Sequence, residues 1–337
     1  MTRIGINPAR GKDTCYRPSR VTVAMITYIP HLSGYFEHRL QVLRLSLSSL
    51  VANTTQPYDL LVFDNGSCQP VIDYLQQLRD SKIIDYLLLS RSNIGKIGAF
   101  NILFNAAPGE IVAYSDDDIF FYTGWLEAHL EIIEKYPHVG MVTGLPVHDA
   151  SDRARNSLDQ LIVNVPEGLT ISIENNIPEE WEVDWALSTG RDPHIHLEKI
   201  RQKEYVTLSY KGVEAFGSAS HFQFVSPRRV IVDALPEEWS GQLMGAMVEL
   251  DEAVDQMGYL RLSTVDRYTR HLGNILSDEV MREAQGLGLA AQEDSSKGFQ
   301  KKISGTKNKT RHWLLRLPGS RRWLNAMYNR LFEILYG

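Results

Sequence analysis

The sequence contains little cysteine and no long apolar run. Its two cysteines, Cys15 and Cys68, are too few for a disulfide framework or a thiolate zinc site, so we expect both to be free thiols. No stretch approaches the roughly 18 consecutive apolar residues of a membrane span, and the first residues lack an apolar run of signal-peptide length. We therefore expect a cytoplasmic protein.

Two common nucleotide-binding motifs are also absent. The chain has neither a G-x-G-x-x-G after its first predicted strand nor a G-x-x-x-x-G-K-S/T, which argues against a dinucleotide dehydrogenase and a P-loop kinase. The composition that remains is ordinary for a globular protein, with 43% hydrophobic and 23% charged residues in a chain of 337. At about 150 residues per domain, this length predicts two units, or one domain with a subdomain.

Charge is divided unevenly along the chain. Residues 297–337 hold five lysines and five arginines against one acid, Glu333, so this basic arm carries +9 and the remaining chain −15. An acidic body disfavours nucleic acid as a partner. An arm that also contains Trp313, Trp323 and Phe332 favours a helix lying on an anionic membrane face. The alternative, equally favoured, is a helix that packs on the protein or across a dimer, and the oligomeric state is left open.

Apolar runs rich in β-branched residues alternate with segments of helical periodicity. This pattern predicts an α/β fold, with a parallel sheet whose strands are joined by crossover helices. The predicted strands are 21–28, 59–64, 83–89, 110–115 and 139–143. The predicted helices between them are 36–51, 70–80, 94–105 and 125–136.

The second half of the chain is less regular. Residues 146–211 are polar and contain prolines, and we interpret them as a long insertion beside the sheet. Regularity returns over 216–274, where we predict strands at 221–225 and 259–263 and a helix at 249–257. A helix-prone stretch to about residue 292 follows.

Three consecutive carboxylates, Asp116, Asp117 and Asp118, follow the predicted strand 110–115. Ligands of open α/β sheets bind at this end of the strands, and adjacent carboxylates repel one another unless a cation neutralises them. In an extended segment Asp116 and Asp118 point one way and Asp117 the other, so that the first and third can share a divalent ion. The alternative is a solvated acidic turn that caps the next helix.

Polar loops also follow the second and third predicted strands. Asp64 begins Asp-Asn-Gly-Ser, and its carboxylate can accept hydrogen bonds from a ribose hydroxyl or a base, although an ordinary Asx turn is the alternative. In the other loop, Arg91 and Lys96 flank Gly95 at a helix start, which suits a diphosphate.

A fourth group of candidates lies in the second half. Glu249, Asp251 and Glu252 open a predicted helix, and a histidine, His271, follows further on. The alternative for the carboxylates is stabilisation of the helix dipole, and that for the histidine is packing or surface exposure.

In this order, these motifs resemble those of family-two glycosyltransferases, over roughly residues 21–275. The resemblance implies the A-type fold and the transfer of a sugar, with inversion, from a nucleoside-diphosphate sugar to a hydroxyl acceptor in glycan or polysaccharide biosynthesis. It divides the chain into four parts: an N-terminal extension, a nucleotide-sugar-binding α/β half, an acceptor-binding and catalytic half, and a helical basic tail. These are residues 1–20, 21–145, 146–275 and 276–337.

The resemblance also implies roles for single residues. Donor binding falls to Thr27, Tyr28, Asp64, Asn93, Gly95, Lys96, Asp116 and Asp117. A Mg²⁺ or Mn²⁺ ion is held by Asp116, Asp118 and His271, with Asp118 as the direct ligand. The acceptor meets Gly217, Ser218 and His221. The general base is Asp251, with Glu249 and Glu252 as rivals, because the chain departs here from the commonest Glu-Asp pattern of the family.

The sequence is also compatible with two other functions. The first is a nucleotidyltransferase in which the carboxylates hold metal for attack on a phosphate, although the basic, glycine-rich loop usual after its first strand is missing. The second is a non-catalytic module that binds sugar or nucleotide without turnover. For the transferase we expect a saccharide or lipid-linked acceptor, no nucleic acid, and peripheral contact with the inner face of a membrane through the basic arm.

Overall fold

The elements alternate between strand and helix through the first half of the chain. A computed structural model describes residues 5–148, 151–174, 176–201, 203–236, 241, 243, 245 and 247–289. All of these belong to one compact unit, Met1–Ala291. The predictions for the basic arm 297–337 lie outside the described residues.

The first half follows the predicted order closely. Its strands are β1 (Val21–Thr27), β2 (Tyr58–Asp64), β3 (Tyr86–Leu89), β4 (Ile111–Ser115), β5 (Ile119–Phe121) and β6 (Val139–Thr143). Its helices are α1 (Arg39–Asn53), α2 (Gln69–Asp80), α3 (Lys96–Ala106) and α4 (Trp125–Lys135). Proline suits the first turn of a helix because its missing N–H is not needed there, and Pro70 stands in the first turn of α2. Strand β5 was not predicted, since three residues are too few to show a period.

The second half contains the remaining elements. Its helices are α5 (Asn156–Val163), α6 (Glu179–Ser188), α7 (Pro193–Ile200), α8 (Arg228–Asp233), α9 (Met247–Gln256) and α10 (Asp278–Gly286). Its strands are β7 (Leu169–Glu174), β8 (Tyr205–Tyr210), β9 (Val213–Phe216), β10 (Gln223–Pro227), β11 (Leu260–Thr264) and β12 (Thr269–His271). No helix in the described part of the chain has the length and apolar character needed to cross a bilayer.

Ten of the described strands form one sheet, in the order β3-β2-β1-β4-β10-β6-β11-β9-β8-β7. The α/β class is confirmed, and β3, β2, β1 and β4 are parallel as predicted. The sheet departs from the parallel pattern at β10, which runs antiparallel to both of its neighbours, β4 and β6. An apolar run that is buried on both faces reads the same in either direction, so the sequence does not show this reversal.

Side chains alternate between the two faces of the sheet and build two cores. From β1, Val23 and Met25 join a cluster with α1, α2 and α4. Their neighbours Ala24 and Ile26 join a second cluster on the other face, with α3, α8 and α9. The sheet is therefore covered on both sides in its centre, which leaves the strand ends as the place where a ligand can enter.

Residues 146–211, which we interpreted as a long insertion beside the sheet, form regular elements. They form α5, β7, α6, α7 and β8, and the antiparallel pair β7 and β8 extends the sheet at one edge. In β7, Leu169, Ile171 and Ile173 alternate with polar residues, so the period of a strand is present in the sequence and was overlooked.

Candidate active site

A cavity of about 370 Å³ lies at the carboxyl ends of β1, β2 and β4. These ends meet because the three strands pair in parallel, with Thr27 opposite Asp64 and Met25 opposite Ser115. The lining consists of Ile26, Tyr28, Tyr35, Phe36, Arg39, Asn65, Asn93, Lys96, Asp116, Asp117, Asp118 and Leu243. Six of these residues were predicted as donor or metal ligands, so the fold brings most of that set together.

Arg39 joins two of the three carboxylates. Its guanidinium donates to Asp118 Oδ2 at 2.8 Å, to Asp117 Oδ1, and to the carbonyl of Gly273 at 3.0 Å. Only 8% of Arg39 is exposed. The prediction that Asp117 points away from Asp118 is wrong because β4 ends at Ser115, and the chain turns through these residues instead of continuing extended.

Asp116 faces a different cation. Lys96 Nζ lies 2.6 Å from Asp116 Oδ1 and 2.8 Å from Oδ2, and the Tyr114 hydroxyl also donates to Oδ1. Both oxygens of Asp116 are therefore occupied by groups of the chain. Lys96 and Arg39 together supply two positive charges against three carboxylates.

The pKa values of the two buried carboxylates move in opposite directions. Burial raises the pKa of Asp117 to about 6, although Arg39 and the Thr27 hydroxyl lower it. For Asp118, burial acts in the same direction, but the charges of His271, Arg39 and Lys96 outweigh it and lower the pKa.

A cation would fit beside Asp118. Its Oδ1 and His271 Nδ1 are buried and have no hydrogen-bond partner among the described residues. Strand β12 pairs with β5 and brings His271 Nε2 to 3.5 Å from Asp118 Oδ2. No cluster of three or more metal-ligating side chains occurs in the described part of the chain, so a bound ion would need further ligands from a substrate. Asp116 fits such a site less well, since Lys96 and Tyr114 occupy its oxygens.

Asp64 is fully buried at the end of β2 and accepts hydrogen bonds from the backbone N–H groups of Gly66 and Ser67 at 3.2 and 3.1 Å. Burial raises its pKa, against the opposing effect of the hydrogen bonds from Ser67 and Gly66. These contacts are those of the Asx-turn alternative. Its role toward a nucleoside stays a prediction.

The loops after β2 and β3 are fastened to each other. Asn65 Nδ2 donates to Asn93 Oδ1 at 3.0 Å, and Asn65 Oδ1 accepts from Ile94 N at 2.9 Å. Asn93 Oδ1 also accepts from the N–H of Gly95, whose φ of 77° lets the chain turn directly into α3. Lys96, the first residue of α3, is thereby aimed at Asp116.

The predicted acceptor residues divide into two groups. Gly217 packs against the segment 146–211: its N–H donates to the Val206 carbonyl at 2.8 Å, and Leu158 leaves no room for a Cβ. Ser218 is buried beside it. By contrast, His221 is partly exposed and its Nδ1 lies 2.8 Å from Asp251 Oδ2.

The three candidates for the general base differ in exposure. Asp251 is 2% exposed and lies between His221 and Arg261, whose Nη2 is 3.0 Å from Asp251 Oδ1. Glu249 and Glu252 are exposed on α9.

Sequence reasoning missed Arg39, Tyr35, Phe36, Asn65 and Leu243. Arg39 was included in a predicted amphipathic helix, where a basic residue is ordinarily solvated. The signal that could have identified it is its place, at the start of the helix that follows the first strand.

A comparison with protein families matches residues 35–184 to the model of glycosyl transferase family 2. This match makes residues 35–184, somewhat less than half of the chain, similar to that family. This family 2 segment contains Arg39, Lys96 and all three clustered aspartates, while His221, Asp251 and His271 lie beyond it.

Several known proteins are similar to parts of this chain. An uncharacterized glycosyltransferase of Nostoc sp., alr2836, is 28% identical over 122 residues, which cover 36% of this chain and 37% of the relative. The mannosyltransferase PcManGT of Pyrobaculum calidifontis, in complex with GDP-Man and Mn²⁺, is 16% identical with a TM-score of 0.42, over 74% of this chain and 55% of that one. TarS 1-349 of S. aureus, in complex with UDP, is 14% identical with a TM-score of 0.41, over 80% of this chain and 64% of that one.

Proposed function

We propose that this chain is an inverting glycosyltransferase that moves a sugar from a nucleoside-diphosphate sugar to a hydroxyl acceptor, in glycan or polysaccharide biosynthesis. The observation that carries the proposal is the cavity at the strand ends, where Asp116, Asp117 and Asp118 meet Lys96 and Arg39 within the family 2 segment. A cavity of this size with a few convergent charged groups is typical of a small-molecule site.

The donor would bind with its diphosphate near Lys96. A diphosphate competes with Asp116 for the ammonium group, which the chain holds at the N-terminus of α3, where anions are favoured. Tyr28, Asn93 and the loop of Asp64 are the candidates for nucleoside contacts. PcManGT is in complex with GDP-Man and TarS 1-349 with UDP, and sugar nucleotides of both kinds are included in the screen for this chain.

A Mg²⁺ or Mn²⁺ ion is proposed at Asp118 and His271. The partnerless Oδ1 of Asp118 supports it, as does the meeting of three carboxylates with only two basic side chains, Arg39 and Lys96. When bound, such an ion stabilises the negative charge that develops on a leaving diphosphate.

Transfer with inversion also requires a group that takes the proton of the acceptor hydroxyl on the face opposite the leaving group. We propose Asp251 as the carboxylate on which this step depends, with Glu249 and Glu252 as the alternatives.

The acceptor is proposed to be a saccharide or a lipid-linked saccharide. The composition of the basic arm 297–337 supports peripheral contact with the anionic inner face of a membrane, and so a cytoplasmic enzyme that meets its acceptor there.

The test is a screen of UDP-glucose, UDP-N-acetylglucosamine, GDP-mannose and dTDP-glucose by thermal shift and by release of nucleoside diphosphate, with Mn²⁺, Mg²⁺ or EDTA. We expect one donor to raise the melting temperature in the presence of metal, and its slow hydrolysis to be lost in Asp118→Asn. Asp80→Asn, an exposed carboxylate on α2, is the matched control and should behave as the native chain.

The proposal fails if no sugar nucleotide binds while a nucleoside triphosphate does, which would favour a nucleotidyltransferase. Binding of a donor without any release or transfer would favour the non-catalytic module.

A further inference from the structure

A histidine stands between the buried carboxylate Asp251 and solvent. His221 Nδ1 lies 2.8 Å from Asp251 Oδ2, and 27% of the His221 side chain is exposed, against 2% for Asp251. Resting on the proposed function, we propose that His221 is the residue that takes the proton of the acceptor hydroxyl. Asp251 is then a positioning residue that acts through His221.

Asp251 itself is held away from any acceptor. Arg261 Nη2 lies 3.0 Å from its Oδ1, and Arg261 is buried to the same extent as Asp251. The Arg261 guanidinium also donates to the carbonyls of Arg153, Ala154 and Ala219, so it cannot swing aside without losing those contacts. A carboxylate buried between two partners is closed to a substrate hydroxyl, whereas the partly exposed imidazole bound to it is accessible from solvent.

His221 lies at the edge of the sheet that carries the aspartates. Strand β10 pairs with β4 so that Gln223 is opposite Ser115, and the carbonyl of Phe222 accepts the N–H of Asp116 at 2.8 Å. His221 therefore precedes, by one residue, the backbone hydrogen bond that fixes the first aspartate of the cluster.

One residue of the irregular segment before α9 reaches the cavity. Leu243 lines it, and its carbonyl accepts the N–H of Lys96 at 3.2 Å. Asp251 lies further along the chain, in α9.

The hydrogen bond to Asp251 defines the state of the imidazole. With Nδ1–H donated to the carboxylate, the neutral ring carries its lone pair on Nε2. In the transfer, the acceptor O–H loses its proton to Nε2 as its oxygen forms a bond to the anomeric carbon. The bond from that carbon to the diphosphate breaks, and the electron pair leaves with the nucleoside diphosphate. The imidazolium that forms is stabilised by the negative charge of Asp251 and then releases the proton to solvent.

Arg261 supports this arrangement from β11. It contacts Asp251 and also holds the carbonyl of Ala219, two residues before His221. Arg261 is therefore the charged group shown to contact the pair of His221 and Asp251, and its guanidinium fixes both Asp251 and the loop that bears His221.

The test uses the full chain, the sugar nucleotide identified in the screen above, and water as the acceptor. His221→Asn keeps an N–H at the position of Nδ1 but has no Nε2. We expect kcat for donor hydrolysis to fall about 10²- to 10⁴-fold, the range for loss of a general base, with donor affinity unchanged within about twofold. His138→Asn, at an exposed turn, is the matched control and should leave kcat unchanged.

Two further variants separate a positioning role from a direct one. Imidazole in the buffer should restore part of the rate of His221→Ala. Asp251→Asn should lower kcat in the native background but add little in the His221→Ala background, because residues that act through one another are not additive.

The outcomes distinguish this inference from the function on which it rests. If the native chain hydrolyses the donor and Asp118→Asn abolishes this, but His221→Asn retains the native rate, the transferase stands and the role of His221 is wrong. If Asp251→Asn lowers kcat by the same factor in the His221→Ala background as in the native background, Asp251 is itself the base. If the native chain neither binds nor hydrolyses any sugar nucleotide, both proposals fall.

Discussion

Arg39 and Lys96 let three consecutive aspartates coexist at the end of one strand. Each carboxylate of the turn has a buried or half-buried cationic partner from a helix that begins at the same edge of the sheet. Removing one partner of a buried ion pair leaves an uncompensated charge, which typically costs about 3–5 kcal/mol. The cluster is therefore stable only as a set that includes Arg39, a residue that the sequence did not single out.

Thr27 has a different place from the one predicted for it. The Thr27 hydroxyl donates a hydrogen bond to Asp117 Oδ2. Thr27 is not among the residues that line the cavity. The pKa of Asp117 in the folded chain, about 6, lies above the usual 3.8, so ionisation costs stability as the pH rises between these values. A donor hydrogen bond reduces that cost.

Thr27→Val should therefore destabilise the protein in a pH-dependent manner. We expect a loss of about 1.5–3 kcal/mol in the free energy of unfolding at pH 7.5, where the bond is to an ionised group, and about half of that at pH 5. Urea unfolding at the two pH values measures it.

Thr22→Val, on the same strand, is the control, because the Thr22 hydroxyl accepts a backbone N–H from Gly109 and meets no carboxylate. Its cost should be the same at both pH values. An equal pH dependence in the two variants would show that Thr27 does not support the Asp117 carboxylate.

At the scale of elements, α6 and α7 are joined by one buried carboxylate. Glu182 on α6 accepts from His148 Nδ1 and from His196 Nε2 of α7, each at 2.7 Å. Burial raises the pKa of Glu182, but the hydrogen bonds from the two histidines outweigh this and lower it. The stability that the ionised Glu182 contributes is thus present above its ordinary pKa of 4.5 and is lost as the pH falls through the lower value in the folded chain.

Glu182→Gln should lower the free energy of unfolding by about 1.5–3 kcal/mol at pH 7.5, since an amide can accept from only one of the two histidines. The difference from the native chain should shrink as the pH falls below about 4.5. Urea unfolding followed across pH is the measurement.

Glu180→Gln, exposed on the same helix, is the control and should change the free energy of unfolding by less than about 0.5 kcal/mol. A loss in Glu182→Gln that does not depend on pH would mean that the charge of Glu182 contributes nothing.

The elements that could be predicted from the sequence are those whose apolar residues recur with the full period of a helix or a strand. Helices α2 and α4 and strand β6 lie within one residue of their predicted bounds, because each has a regular apolar pattern and a clear start. Strand β5 was missed because it is short, whereas β7 alternates apolar and polar residues over 169–174 and could have been predicted. The direction of β10 depends on distant neighbours and leaves no mark in its own residues.

At the scale of the whole molecule, the site depends on a glycine that is distant in sequence from most of it. The carbonyl of Gly273 accepts from Arg39 at 3.0 Å, and a Cβ on this glycine would lie 2.5 Å from the carbonyl oxygen of Ser188, at the end of α6. Its φ of 73° is also one that favours glycine. This glycine therefore links the segment 146–211 to the carboxylate cluster.

Gly273→Ala should weaken donor binding as well as folding. A left-handed φ costs a non-glycine residue about 1–2 kcal/mol, and the clash with Ser188 adds about 1–3 kcal/mol more. Because Arg39 moves with the Gly273 carbonyl, we expect the donor-induced thermal shift to decrease as well.

Gly258→Ala isolates the backbone effect, since Gly258 has a φ of 84° but open space around its Cβ position. Gly258→Ala should lose only the stability that the left-handed φ costs, and its donor-induced thermal shift should be unchanged. If both variants lose the same stability and neither changes the donor shift, Gly273 does not connect the insertion to the site.

The candidate site was predictable where its residues follow strand ends. Asp64, Asn93, Lys96 and the three aspartates stand directly after β2, β3 and β4, and parallel pairing brings those ends together. Arg39 and Leu243 reach the cavity from a helix and from an irregular segment, so only the folded chain reveals them. The same holds for the pairing of His221 with Asp251, which are 30 residues apart.

The antiparallel strand β10 has a consequence for the order of events during synthesis. Strands β4 and β6 are not neighbours, and the space between them is filled only by residues 223–227. In a nascent chain that has emerged from the ribosome as far as β6, one edge of β4 and both edges of β6 are unpaired, and such edges are prone to wrong pairing. Strand β4 is joined to β6 only after β10 has been translated, so the histidine next to β10 reaches its place in the same step.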